Sequence, residues 1–157
     1  MKRGRIPCFT LMTALLVLAC SNADSEPPPD AWVEIESKRI AVELAETPAD
    51  QAKGLGYRED LPWNTGMYFT YDRPAFYSFW MKGMRFPIDI VWIRAGRIVD
   101  LHRDVPFEPG GNGPTLQPRE IIDAVLEVPA GYAAANGWRI GNRVRLDRPN
   151  EASNPTH

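Results

Sequence analysis

Residues 79–105 read FWMKGMRFPIDIVWIRAGRIVDLHRDV. A period of two runs through this stretch, the repeat of a strand whose successive side chains point to opposite faces. From Pro87 onward, Ile88, Ile90 and Trp92 fall on one face and Asp89, Val91 and Ile93 on the other. Arg94-Ala95-Gly96-Arg97 supplies a tight turn into a second alternating run, Arg97–Val105, so the pair is predicted to be a hairpin. Upstream, residues 75–82 read as a further strand that turns through Gly83–Phe86 into Pro87. Asp89 shares its face with two β-branched residues, where a carboxylate without a partner is costly. If the turn centres on Arg85-Phe86, Lys82 lies directly opposite Asp89, within cross-strand reach. A turn shifted by one residue puts Trp80 or Met81 there instead. The ion pair so formed either fixes hairpin register or lies at the floor of a pocket, and the sequence leaves both open.

The same alternating grammar extends outward. Residues 32–44 alternate twice around Ser37-Lys38-Arg39, a second hairpin. Thr47, Pro48, Asp50 and Gly54 are the cap, first-turn and stop signals of a short helix. Residues 66–71 form a brief aromatic strand, residues 120–128 another, and Pro129–Gly137 a second short helix. Residues 138–146 read as two strand halves about Gly141-Asn142. Pro106–Pro118, rich in proline and glycine, is a long loop and a candidate cover for a site. The expected fold is mostly β (α+β), a twisted, partly closed antiparallel sheet or barrel with two short helices.

The ends differ from this domain. Lys2, Arg3 and Arg5 precede an apolar run from Phe9 to Ala19, the pattern of a signal peptide over residues 1–19 and too short for a comfortable membrane span. Val17-Leu18-Ala19-Cys20 resembles a bacterial lipobox, which makes Cys20 the expected lipidation site. Residues 20–30, polar with three consecutive prolines, read as a tether, residues 31–147 as one domain, and residues 148–157 as a disordered tail. Loss of Cys8 with the leader leaves a single lipidated cysteine and no disulfide. Loss of Lys2, Arg3 and Arg5 takes 18 basic residues to 15 against 20 acidic ones, a net charge near −5. With no basic cluster, nucleic acid is excluded as an expected partner.

The motifs FWMKGMRFPIDIVWI, GRIVDLHRDV and AVLEVPAGYAAANGWRIGNRV, together with TPADQAKGLGYRE, resemble those of the bacterial and archaeal family called domain of unknown function 192. The likeness runs from about Trp32 to Leu146 and implies a compact β-rich fold, often exported, with no reaction attached. Gly83-Met84 stands where the family often has Asn-Thr, Gly56-Tyr57 where a Met is common, and Asn142 where an Asp is common.

The chemistry-bearing residues support a binding or accessory module more readily than an enzyme. Trp80, Lys82, Arg85 and Asp89 are the expected ligand-binding set, an aromatic pocket for a glycan or peptide. Asp100, His102 and Asp104, at alternate positions with Ile98, read as a solvent face rather than three ligands for one metal. No metal or other cofactor is expected. The rival readings are a hydrolase of envelope material using Asp89 with Asp100 or Glu127, and a structural protein-interaction module with no pocket. Glu127 is read otherwise as a cap for the helix that follows it. The expected location is the bacterial cell envelope, at the periplasmic face or outer membrane, with the lipid anchor as the membrane contact.

Overall fold

The structure, a computed structural model, describes residues 29–149. The leader, Cys20, most of the tether and residues 150–157 lie outside the described residues. The domain is mostly β, with seven strands in one curled half-barrel sheet and a two-stranded sheet beside it. In chain order the elements are β1 (Ala31–Ile35), β2 (Lys38–Ala45), α1 (Pro48–Lys53), β3 (Thr65–Ala75), β4 (Phe79–Trp80), β5 (Ile88–Arg94), β6 (Arg97–Val105), β7 (Thr115–Leu116), β8 (Ile122–Pro129), α2 (Tyr132–Ala135) and β9 (Val144–Asp147). The large sheet runs β6-β5-β8-β3-β2-β1-β9.

The β5–β6 hairpin forms as the alternation requires. Its turn residues Ala95 and Gly96 both adopt positive φ, 47° and 67°, the paired left-handed geometry that matches strand twist. The β1–β2 hairpin also forms, with its turn at Glu36-Ser37, so Lys38 and Arg39 belong to β2. Thr47 caps α1, its Oγ1 accepting the Asp50 N–H at 3.2 Å, and Gly54 ends it. One pairing departs from the antiparallel expectation: β2 and β3 are parallel, because the connection through α1 carries the chain back over the sheet before β3 begins.

The largest departure concerns the strand expected upstream of Pro87. Only Phe79-Trp80 is extended there, and it pairs with Thr115-Leu116 rather than with β5. Both neighbours of β5 are already taken, by β6 and by β8. The expected β4–β5 hairpin is therefore absent, and with it the cross-strand placement of Lys82 opposite Asp89. The Pro106–Pro118 loop contributes β7 to this small sheet, and Phe107 and Leu116 pack on the core. Of the two strand halves expected at residues 138–146, only β9 forms, antiparallel to β1.

Two apolar clusters follow from the two faces of the sheet. One draws on all seven strands and on Tyr132, Ala133 and Trp138, and α2 lies against it. Its strands curl far enough for the sheet's edges to touch. The Val144 N–H donates to Gly96 O at 2.9 Å, Ile98 N–H to Asn142 O at 3.0 Å, and Gly141 N–H to Ile98 O at 2.8 Å. This face is the interior of a half-closed barrel. The second cluster lies on the opposite face of β3, β5 and β8, where Met67, Phe69, Ile90, Trp92 and Val125 are covered by Leu55, Phe79, Met81 and Met84. Strands β5 and β8, buried on both faces, accordingly read as near-continuous apolar runs.

Candidate functional site

Asp89 faces the barrel interior, as its alternation with Val91 and Ile93 implies, and is completely buried. Its partners are main-chain amides. Asp89 Oδ1 accepts the Asp104 N–H at 2.8 Å and the Gly131 N–H at 3.1 Å, and Oδ2 accepts the Ala133 N–H at 2.8 Å. The Gly131 cap residue offers α2 no side-chain hydrogen bond, so the carboxylate of Asp89 satisfies the orphan N–H groups there. It also holds Asp104 in its left-handed conformation, φ 49°. Asp89 is thus an architectural acceptor, and the capping role expected of Glu127 belongs to it.

Glu127 lies on the other side of the sheet. Its register partners are Met67 on β3 and Ile90 on β5, so apolar residues flank it on both sides. It is 5% exposed, and the little that is exposed opens into a cleft of about 720 Å³. Burial pushes its carboxyl up to about 8, only partly offset by the positive charge of Arg58. Arg58 itself is engaged in a two-pronged pair with Glu43, whose Oε2 it meets at 2.7 Å. That hydrogen-bonded pairing holds Glu43 below its ordinary range. Two carboxylates within reach of one arginine are therefore pushed in opposite directions by their surroundings.

The cleft around Glu127 has one wall from α1 and the turn after it, and another from the end of β3 and residues 77–84. Gln51 fixes the first wall, donating from Nε2 to Thr70 O at 2.9 Å and to Ala45 O at 3.3 Å. The second wall carries Tyr71 and Tyr77, stacked at 3.7 Å with 15° between their planes. The Tyr77 hydroxyl donates to Arg73 O at 2.7 Å. Burial, with lesser contributions from Tyr77 and Glu127, pushes the Tyr71 phenol well above its ordinary value, so it stays protonated as a donor. Trp80, 52% exposed, stands at the rim, and Lys53, Arg73 and Lys82 place cations around the mouth.

Of the residues singled out in the sequence, Trp80 and Lys82 both line this cleft. Arg85 does not; it pairs with Glu59 on an exposed surface. Asp89 does not, because it is on the opposite face of β5. Neither carboxylate pair considered for acid–base work is assembled. Glu127 opposes Ile90 and Asp100 opposes Trp92, so both share the face that Asp89 turns away from. The Pro106–Pro118 loop contributes no residue to the cleft lining. Asp100 is 3% exposed, not on a solvent face, and both its oxygens accept main-chain N–H groups, from Leu101 at 2.9 Å and Arg119 at 3.1 Å. His102 Nδ1 accepts the Trp92 Nε1–H at 2.7 Å. No cluster of three or more His, Cys, Asp or Glu suited to a metal occurs among the described residues. Tyr71 and Tyr77 were not singled out in the sequence, and Glu127 was considered only as a partner for Asp89 or as a helix cap, not as the floor of a cleft. The signal for Glu127 was a lone acid within the apolar run Ala124–Val128 of a strand too apolar to have a wet face.

The family model for domain of unknown function 192, described as "Uncharacterized ACR", matches residues 31–146. The chain belongs to this family. Solved structures agree with the architecture. A proposed transcription regulator from Sinorhizobium meliloti superposes with a TM-score of 0.67 at 28% identity, over 74% of this chain and 92% of that one. A protein of unknown function from Novosphingobium aromaticivorans superposes with a TM-score of 0.65 at 32% identity, over 73% of this chain and 83% of that one. Comparison with functionally curated proteins returns no significant match. The model's span coincides with β1–β9 of the domain of unknown function 192 fold, so the Glu127 cleft lies wholly within the family domain.

Proposed function

We propose that the protein is a binding or accessory module of the cell envelope whose Glu127 cleft takes a hydroxyl-rich glycan. The observation that carries this reading is a buried carboxyl, its neutral form favoured by burial, at the floor of a cleft walled by stacked tyrosines and rimmed by a half-exposed tryptophan. Sugar rings stack on aromatic faces through their C–H surfaces and need buried donors and acceptors for their hydroxyls. The protonated acid of Glu127 and the phenol of Tyr71 supply both, and Lys82 would meet an anionic substituent. Duplex nucleic acid fits poorly, since six of the twelve arginines among the described residues already face carboxylates. The lipid attachment at Cys20, with the membrane as partner, belongs to the same proposal and rests on the lipobox-like segment alone.

The test is a thermal-shift and NMR titration with cell-wall glycan fragments, run beside peptides of matched length. Glycans should stabilise the wild type and should lose that effect in Trp80→Ala and in Glu127→Gln. Stabilisation by peptides alone would overturn the glycan assignment, and equal shifts in all three proteins would overturn the cleft. Acyl labelling that vanishes in Cys20→Ala tests the anchor, and an unlabelled wild type would refute it. The raised carboxyl of Glu127 favours one second reading, a hydrolase with Glu127 as general acid. Turnover of glycan that disappears in Glu127→Gln while binding survives would establish it.

A further inference from the structure

A second cleft of about 370 Å³, at the outer edge of β6, is lined by Asp100, Leu101, Arg103, Arg119, Arg139 and Ile140. We propose that this cleft is an oxyanion site that takes a phosphate group. Two of the three lining arginines differ from six others among the described residues. Arg39, Arg58, Arg85, Arg94, Arg145 and Arg148 each face a carboxylate. Arg103 and Arg139 face none among the described residues. Arg103 donates from Nη2 to Trp138 O at 2.6 Å, and Arg139 from Nε to Gly137 O at 3.4 Å. Each guanidinium is steered by a carbonyl and keeps further N–H donors free, in the planar fork that suits phosphate oxygens.

The single acid of the cleft does not cancel them. Asp100 is buried and holds the Leu101 and Arg119 N–H groups, and the Arg119 guanidinium approaches it only to 3.9 Å. It positions the Arg119 backbone and leaves the side chain, 83% exposed, turned to solvent. Three cations against one buried carboxylate leave about two positive charges, the charge that a phosphate monoester carries with opposite sign near neutral pH. Arg97, bonded to Gly141 O at 3.0 Å beside the lining Ile140, adds a further cation at the same edge. Ile140, 59% exposed, gives the site an apolar lip on which the body of a phosphorylated ligand could rest. This site lies apart from the Glu127 cleft, with which it shares no lining residue.

Amide NMR of the protein titrated with inorganic phosphate tests the assignment, with chloride at matched ionic strength as the reference. The expected result is saturable movement of the Leu101, Arg119 and Arg139 amides with phosphate only. The double variant Arg119→Gln, Arg139→Gln, altered at two exposed side chains, should weaken that binding by about tenfold or more. Lys82→Ala, at the first cleft, should leave it unchanged. Co-sedimentation with phosphatidylglycerol against phosphatidylcholine vesicles, with and without competing phosphate, separates a lipid headgroup from a free phosphate as the source; either supports the site. Phosphate-specific shifts that survive the double Gln variant, that vanish in Lys82→Ala, or that chloride reproduces would overturn it.

Discussion

At the scale of single residues, two buried carboxylates within one sheet are handled in opposite ways. Asp89 is surrounded by donors, and its three amide contacts hold together α2, the end of β6 and the start of β5. Asp89→Asn replaces one acceptor oxygen by an NH₂ group facing a main-chain N–H, which should cost about 2–3 kcal/mol. The measurement is the urea midpoint, and glycan binding per folded molecule should not change. Glu127 has apolar neighbours, so its folded form keeps the proton up to about 8 whereas an ordinary glutamate releases it near 4.5. Between those values the native state holds the extra proton. Stability from this group is therefore full below about pH 4.5 and is lost as pH rises through 8. The loss should reach up to about 5 kcal/mol in the wild type. Glu127→Gln should flatten that slope, as read from unfolding curves between pH 5 and 9. An unchanged slope would mean that Glu127 ionises normally.

At the scale of elements, legibility followed whether the determinants were local. The caps of α1, the turn of β5–β6 and the alternation of β1–β2 are written in adjacent residues, and each element formed, the β1–β2 turn displaced to Glu36-Ser37. The strand expected at residues 75–82 failed because pairing is a competition, and β8, distant in sequence, occupies the edge of β5 it would have needed. For the same reason Asp89 could be recognised as a charge in need of partners but not matched with them, since two of them come from residues 131 and 133. Trp80 and Lys82 were legible as cleft residues, whereas Glu127 needed knowledge of which face α1 covers. A contact between segments also explains one departure from the family pattern, Gly83. The Tyr57 N–H donates to Gly83 O at 2.8 Å, and a Cβ on Gly83 would stand 2.9 Å from the Tyr57 ring. Gly83, at φ 71°, has a conformation that Asn tolerates, so the ring rather than the backbone opposes the commoner residue. Gly83→Asn should destabilise by about 1 kcal/mol, and Tyr57→Ala should remove most of that cost in a double-mutant cycle.

At the scale of the whole molecule, the curl of the sheet separates two environments. One face is an enclosed core pinned by Asp89 and by the three bonds that Gly96 and Ile98 make with Gly141, Asn142 and Val144. The other is a second core with the Glu127 cleft at its margin. Placing an ionisable group where apolar residues surround it is costly, and such groups cluster at sites of function. The antiparallel pairing of β1 with β9 sets Trp32 beside Asp147. The domain thus enters and leaves at one spot, and its connectivity is close to circular. A permuted chain that joins residue 147 to residue 31 through a short flexible linker and opens at Gly110, an exposed position with no neighbour within 4 Å of an added Cβ, should keep the fold. Its amide spectrum should overlay that of the parent except near the cut and the join. Such a geometry suits a unit carried on a stalk or inserted within another protein's loop, since both flanking segments can point the same way and leave the opposite pole free.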